Sequence, residues 1–348
     1  MKKNIILIMA IAACLCGCAK QKKSGTNDAA KRYFDSWMQV HFPEAFSKGP
    51  SFPGYYVVDD IPGTGELIGD YDDSLFVRVD YTLRELDGTI SGSTLASVNK
   101  QLGTFEESSY YLPDIWHIGT MAAGLKNLVP RLRVGERCTA VIPGWLTSYN
   151  DYNTAQEYLD KESGVDGIYE IEVVEKIHKN IYEWEIDSIC RYIARHYPDK
   201  FSSDPARVRP DSVSTHGMYY ICLKEPSDTS TMTGDSTIYI NYTGRLLNGQ
   251  VFDTTIRDTA MRYGIWSADA TYSPTVANLS TDYKNVTLGE DSNEVISGFA
   301  RTISLMHAHE KGIGIFCSFN GYDYNGSGST IPPYSPLIFE IELVDEPS

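Results

Sequence analysis

Residues 237–253 carry the clearest alternation of apolar and polar positions in the chain. Ile238, Ile240 and Tyr242 interleave with Thr237, Tyr239 and Asn241, the period of a strand with one buried face. Gly244 marks the expected end of that strand. Asn248-Gly249 is a turn pair that tolerates positive φ, and Val251-Phe252-Asp253 begins the return. The pattern brings an aromatic hydroxyl and a carboxylate together around an apolar lining. Helical spacing appears where Val295 or Ile296, Phe299, Ile303 and Met306 fall three and four apart, and again at Met121, Leu125, Leu128 and Leu132. Two more stripes, Tyr33-Trp37-Val40 and Ile186-Ile189-Ile193, predict helices ending at His41-Phe42-Pro43 and His196-Tyr197-Pro198.

These signals recur. Tyr81-Thr82-Leu83-Arg84-Glu85-Leu86-Asp87-Gly88 returns as Tyr242-Thr243-Gly244-Arg245-Leu246-Leu247-Asn248-Gly249, and Gly54-Tyr55-Tyr56 returns as Met218-Tyr219-Tyr220. Tyr169-Glu170-Ile171-Glu172 returns as Phe339-Glu340-Ile341-Glu342. Matching blocks lie between 155 residues apart (Pro43 to Pro198) and 170 apart (Tyr169 to Phe339), a duplicated domain with unequal loops rather than a solenoid. Each copy predicts a leading helix, an extra strand and an antiparallel sheet wrapped on one short helix, class α+β. The expected division is 28–180 and 181–348. The stretch 256–285 is an insert whose aromatics (Tyr263, Trp266, Tyr272, Tyr283) fit either a packed lobe or a surface loop.

The first residues follow a different logic. Lys2 and Lys3 precede an apolar run, Ile5 to Leu15, that is too short for a permanent bilayer span. Leu15-Cys16-Gly17-Cys18 resembles a bacterial lipobox, which makes 1–18 a lipoprotein signal and Cys18 the lipidated first residue of the mature chain. Residues 19–27 form a polar tether, and no acidic residue directly follows Cys18. The expectation is a lipid anchor in the cell envelope, at the outer membrane facing the periplasm. Net charge is −16, and no basic cluster suited to nucleic acid appears. Of seven cysteines, Cys138, Cys190, Cys222 and Cys317 remain in the body of the chain. Cys138 and Cys317 sit in apolar runs that suit buried free thiols.

Three blocks in order give the chemistry a family context. The stretch from Tyr242-Thr243-Gly244 to Phe252-Asp253, then Glu294-Val295-Ile296-Ser297-Gly298-Phe299, then Ile331-Pro332-Pro333 with the strand through Phe339, resembles the FKBP-type peptidyl-prolyl cis-trans isomerases. The resemblance implies two FKBP-like domains, with the second catalytic. Its pocket would comprise Tyr242, Phe252, Asp253, Val295, Ile296, Phe299, Ile331 and Phe339, the Ile296 N–H binding the substrate carbonyl. Phe299 stands where the family most often has Trp. The flap tyrosine is Tyr322 by gapless counting, with Tyr324 as the alternative. Departures are Lys284, where the family has Phe, and Met306-His307-Ala308-His309-Glu310, which replaces a turn that normally holds Gly; His307 and His309 suit that turn better than a metal. The implied substrates are X–Pro bonds in exported client polypeptides. Rotation about an amide makes or breaks no bond, so no cofactor or metal is expected.

In the first copy Tyr81 persists, but Ile90-Ser91 stand in place of Phe-Asp, Ala122-Ala123-Gly124-Leu125 replace the floor, and no Ile-Pro-Pro flap precedes Tyr169. That copy is expected to be non-catalytic. The rival expectation is a non-catalytic chaperone or partner-binding lipoprotein whose two domains grip extended apolar segments or a partner subunit without turnover.

Overall fold

In a computed structural model, residues 27–69, 74–199, 209–210, 217–224, 226, 232, 234, 236–289 and 293–347 are described. The signal, Cys18 and the tether up to residue 26 lie outside the described residues. Helix α1 (Asp28–His41) continues into α2 (Pro43–Lys48), with Pro43 at the first turn, where its missing N–H costs nothing. The buried face of α1 is Phe34 and Met38, with Trp37 packed against the core; Tyr33 and Val40 are 60% and 74% exposed. The apolar stripe is thus rotated by one residue from the Tyr33-Trp37-Val40 expectation, because Phe34 and Met38 already form an i,i+4 pair.

The first sheet contains β1 (Tyr56–Ile61), β2 (Phe76–Glu85), β3 (Ile90–Ser93), β4 (Asp114–His117), β5 (Arg137–Ile142) and β6 (Gly167–Ile177). Helix α3 (Ala96–Leu102) precedes β4, α4 (Ala123–Leu128) precedes β5, and α5 (Ala155–Lys161) precedes β6. Strand order is β1-β5-β6-β2-β3, with β4 beside the other end of β2. All pairings are antiparallel.

Helix α6 (Ile181–His196) leads into the second sheet, which adds β7 (Arg209–Pro210), β8 (Met218–Lys224), β9 (Thr237–Leu246) and β10 (Val251–Thr254). After α7 (Arg257–Arg262) come β11 (Thr275–Asn278), β12 (Thr287–Leu288), β13 (Asn293–Glu294), α8 (Ser297–Ser304), β14 (Lys311–Phe316) and β15 (Leu337–Val344). Its path, β11-β9-β15-β14-β8 with β10 also on β9, repeats the first sheet strand for strand. Tyr81 pairs with Ile171 as Tyr242 pairs with Ile341, so the repeat holds at the level of register. The insert divides: its end supplies β11 to the sheet, while Tyr263 and Trp266 face solvent.

Close approach of α8 to β14 needs a residue without a side chain. A Cβ on Gly298 would sit 2.4 Å from the Phe316 ring. The turn before β14 holds His309 at φ 57°, where the first copy has Gly135 at φ 81°. Both turns are tied alike: the Glu310 carboxylate accepts from His307 N–H, and Glu136 from Arg133 N–H, each at 2.8 Å.

Helix α6 serves both halves. Ile181 packs with Phe76 and Ile177, while Ile189 and Ile193 pack under Ile221, Ile313, Ile315 and Ile338. Between them Glu185 is fully buried. Its carboxylate accepts from Ser318 N–H at 2.6 Å and Ser318 Oγ at 2.7 Å. Burial outweighs these hydrogen bonds and pushes the carboxyl from 4.5 up to about 7. The native chain therefore holds a proton that the unfolded chain loses earlier, and stability falls as pH rises from about 4.5 to about 7. At about 1.4 kcal/mol per pH unit of separation, the effect amounts to roughly 3 kcal/mol. Denaturant unfolding of Glu185→Gln should show a flatter pH dependence between pH 5 and 7.5 than the parent. An identical slope in both would refute this assignment.

Candidate active site

The β9–β10 hairpin positions the central pair. Gly249 at φ 90° closes the turn, and Asn248 Oδ1 accepts from Gln250 N–H at 2.9 Å. A bulge at Phe252 then shifts the register so that Asp253, not Phe252, lies opposite Gly244. Two threonines lock this arrangement: Tyr242 N–H donates to Thr255 Oγ1, and the Thr243 and Thr254 hydroxyls share a hydrogen bond, both at 2.9 Å. As a result the Tyr242 hydroxyl donates to Asp253 Oδ2 at 2.7 Å. Burial and the adjacent Asp253 carboxylate hold that hydroxyl far above its usual range, so it stays protonated and able to donate.

Gly244 does not end the strand, which continues to Leu246. A Cβ there would meet the Phe252 ring at 2.6 Å and the Phe339 ring at 2.9 Å. The glycine is the space in which those rings meet.

Around the pair stands an aromatic box. Phe339 packs edge-to-face on Phe299 (5.0 Å between centroids) and Phe252 (5.5 Å), and Tyr242 packs edge-to-face on Phe299 at 5.4 Å. Phe299 and Phe339 are buried; Tyr242, Phe252, Val295, Ile296 and Tyr322 are half-buried and pack against the same cluster. Buried rings ringed by half-buried side chains make an apolar cluster with two polar groups, Tyr242 and Asp253, at its edge. Ile296 is the N-cap of α8 (φ −60°, ψ 144°), and Ile331 is buried in the flap, where Ser327 and Ile331 exchange backbone hydrogen bonds of 2.7 and 3.1 Å.

All nine expected site residues thus belong to this cluster or its edge. Of the two flap tyrosines, Tyr322 packs on the cluster, its hydroxyl raised by burial and by the nearby Asp253 charge. Tyr324 is 63% exposed and lines a separate cavity of about 630 Å³ with Trp116, Met121, Tyr149 and Tyr169 of the first half. Where the family carries Phe, Lys284 is exposed, and the adjacent Tyr283 ring instead takes the Arg301 guanidinium of α8 at 5.2 Å. Sequence patterning passed over the two threonines, Gly244 as a contact point, and Glu185. The matched pairs Ser93-Thr94 and Thr254-Thr255 were the available signal for the first.

The first half keeps the scaffold and changes the chemistry. Tyr81 N–H donates to Thr94 Oγ1 at 2.9 Å, as Tyr242 does to Thr255. Counting from these anchors, and from bulges at the same place, Ser91-Gly92 occupy the Phe252-Asp253 positions. The expected Ile90-Ser91 correspondence is one residue early: both hairpins carry the same bulge, and unbroken counting from the matched turn, Gly88 to Gly249, places Ser91-Gly92 there. The carboxylate reappears on another strand. Asp114 of β4, at the register position of Thr275, bonds the Tyr81 hydroxyl; burial and Asp114 push Tyr81 up to about 12, and burial pushes Asp114 up to about 6. Trp116, at the position of Ala277, packs on Tyr81 at 5.3 Å. Leu125 and Tyr169 replace Phe299 and Phe339, and helix α5 precedes Tyr169 in place of a flap.

The second half is therefore an antiparallel α+β domain whose aromatic cluster carries a hydroxyl and a carboxylate at its edge. Residues 228–344 match the family model described as FKBP-type peptidyl-prolyl cis-trans isomerase. A probable FKBP-type peptidyl-prolyl cis-trans isomerase of Haemophilus influenzae is 23% identical over 205 residues, covering 56% of this chain and 73% of the relative. A macrophage infectivity potentiator of Trypanosoma cruzi is 25% identical over 164 residues, covering 47% and 68%. Among solved structures, the three FKBP domains of wheat FKBP73 align over 84% of this chain and 94% of that one (16% identity, TM-score 0.28). A peptidyl-prolyl cis-trans isomerase of Pseudomonas syringae aligns over 47% and 92% (21% identity, TM-score 0.30).

Proposed function

We propose that the second half catalyses cis–trans isomerisation of X–Pro bonds in client polypeptides, and that the first half does not. The observation that carries this is the box of Phe252, Phe299 and Phe339 around the Tyr242–Asp253 hydrogen bond of 2.7 Å, a setting that the Tyr81–Asp114 pair of the first half lacks. Amide planarity imposes a barrier of about 18–20 kcal/mol. Twisting the bond removes the resonance that sustains its large dipole, so an apolar site favours the twisted form over either planar one. In this reading the proline ring rests on Phe299 between Tyr242 and Phe339, the Ile296 N–H receives the substrate carbonyl, and Tyr322 donates from the flap. Asp253 fixes the Tyr242 ring and faces the polarised amide. No proton need be transferred.

Exchange of short X–Pro peptides, followed by NMR with the full chain, tests the proposal. The parent should accelerate exchange. Asp253→Ala and Tyr242→Phe should lower kcat/KM by roughly tenfold, the ~1.4 kcal/mol expected of one lost hydrogen bond. Asp114→Ala in the first half should leave it unchanged. Absence of acceleration by the folded parent would favour the non-catalytic alternative, a client-holding protein. The exposed apolar side chains Ile256, Met261, Tyr263 and Trp266, following the hairpin, give that reading its support.

We also infer from the lipobox that Cys18 carries a lipid, which would anchor the chain in the cell envelope among exported, folding clients. Cys18→Ser should move the protein from the membrane to the soluble fraction. Unchanged sedimentation with membranes would rule the anchor out.

A further inference from the structure

The flap that closes the second site is gripped by residues far from it in sequence. At its root, Ser318 is bonded by Glu185, and the Tyr182 hydroxyl donates to Asp323 Oδ1 at 3.0 Å, both partners lying on α6. At its tip, the Ser329 carbonyl accepts from Tyr110 N–H at 2.8 Å, and the Ser329 hydroxyl lies 3.0 Å from that of Ser109. The same first-half segment reaches the hairpin: Gln250 Nε2 donates to the Ser108 carbonyl at 2.7 Å, two residues before Phe252. It also runs against the insert, where a Cβ on Gly264 would lie 3.0 Å from the Glu107 Cβ. The Tyr110 ring packs against the core of the second half.

Residues 107–110 therefore touch flap, hairpin and insert, the three elements flanking Asp253. Backbone hydrogen bonds of the flap's own, from Gly326 N–H to the Tyr322 carbonyl at 3.2 Å and from Tyr334 N–H to the Asp323 carbonyl at 2.9 Å, close its base and leave the tip to other ties. Gly326 and Gly328 sit at φ 61° and 56°, and the single bridge between Ser327 and Ile331 closes its tip. A loop built this way loses conformational freedom when substrate orders it, and that loss weakens binding. An external tie that orders it beforehand removes the loss from the binding step.

We propose that the strap Glu107–Tyr110 of the first half positions the flap and hairpin of the second-half site. The non-catalytic copy thereby acts as a positioning element for the other. This inference rests on the isomerase reading above for its kinetic consequence, but not for its structural one. The strap residues touch no reacting atom. They act through Ser329 and Gln250.

Three full-chain variants test it. In Ser109→Ala/Tyr110→Ala/Gln250→Ala, which removes both side-chain ties and the packed ring and leaves the Tyr110 N–H bond to Ser329, hydrogen exchange at the Ser327 and Ile331 amides should quicken by tenfold or more, while amides of β14 and β15 keep the parent rate. The kcat/KM for X–Pro peptides should fall mainly through KM, and Tyr110→Phe, which keeps the ring, should restore both. Unchanged flap exchange would overturn the proposal whether or not the parent is an isomerase. In Ser109→Cys/Ser329→Cys, oxidation locks strap to flap across the present 3.0 Å contact. The locked protein should keep its affinity for peptide. Loss of binding on oxidation, regained on reduction, would show a lid that blocks the site and would overturn the positioning role. A parent without isomerase activity but with the expected flap exchange would leave the strap standing and remove only its kinetic consequence.

Discussion

The second site depends on one hydrogen bond, from the Tyr242 hydroxyl to Asp253. That bond exists because a bulge at Phe252 returns Asp253 to the level of Gly244, and because Thr254 and Thr255 hold the bulge in place. The missing side chain at Gly244 lets Phe252 and Phe339 meet beneath it. Remove any of these and the hydroxyl loses its partner or the floor loses its shape. Partial burial and the adjacent carboxylate keep the Tyr242 hydroxyl protonated and oriented, a fixed dipole beside an otherwise apolar cluster.

The first half shows how far the same backbone can depart from that arrangement. Its strand order, register and threonine anchor are retained, yet the carboxylate has moved from the hairpin strand to β4, and Trp116 stands against Tyr81. The tyrosine needs a partner wherever it is buried, and either neighbour of its strand can supply one. A tyrosine–carboxylate pair is therefore a requirement of the scaffold before it is a sign of activity. What distinguishes the second half is the setting: Phe252, Phe299 and Phe339 around the pair and a flap above it.

Much of this was legible in the sequence. The duplication and the α+β class followed from period-two strands and matched blocks, since each strand buries one face; that the nine residues share one site was implied by the family resemblance. Less legible were features that depend on distant contacts. The rotation of the α1 face reflects which of two overlapping apolar stripes found the core. Strand continuation through Gly244 reflects ring packing from another strand, and glycine alone signals an end as readily as a close approach. The one-residue offset at Ser91-Gly92 was open to counting, since the matched turns Gly88 and Gly249 fix it and both hairpins carry the same bulge. Glu185 was passed over, because nothing local announces that Ser318 will cover it.

On the proposed function, proline-containing chain is handled at the second site and not at its altered twin. The most direct measurement is a titration of the isotopically labelled full chain with a short peptide containing one Leu–Pro bond, followed residue by residue in NMR spectra. Shifts are predicted at Asp253, Ile296, Tyr322 and Phe339, with Gly92, Ala122 and Asp114 unmoved. Shifts centred on the first half, or none at a saturating peptide concentration, would contradict the account.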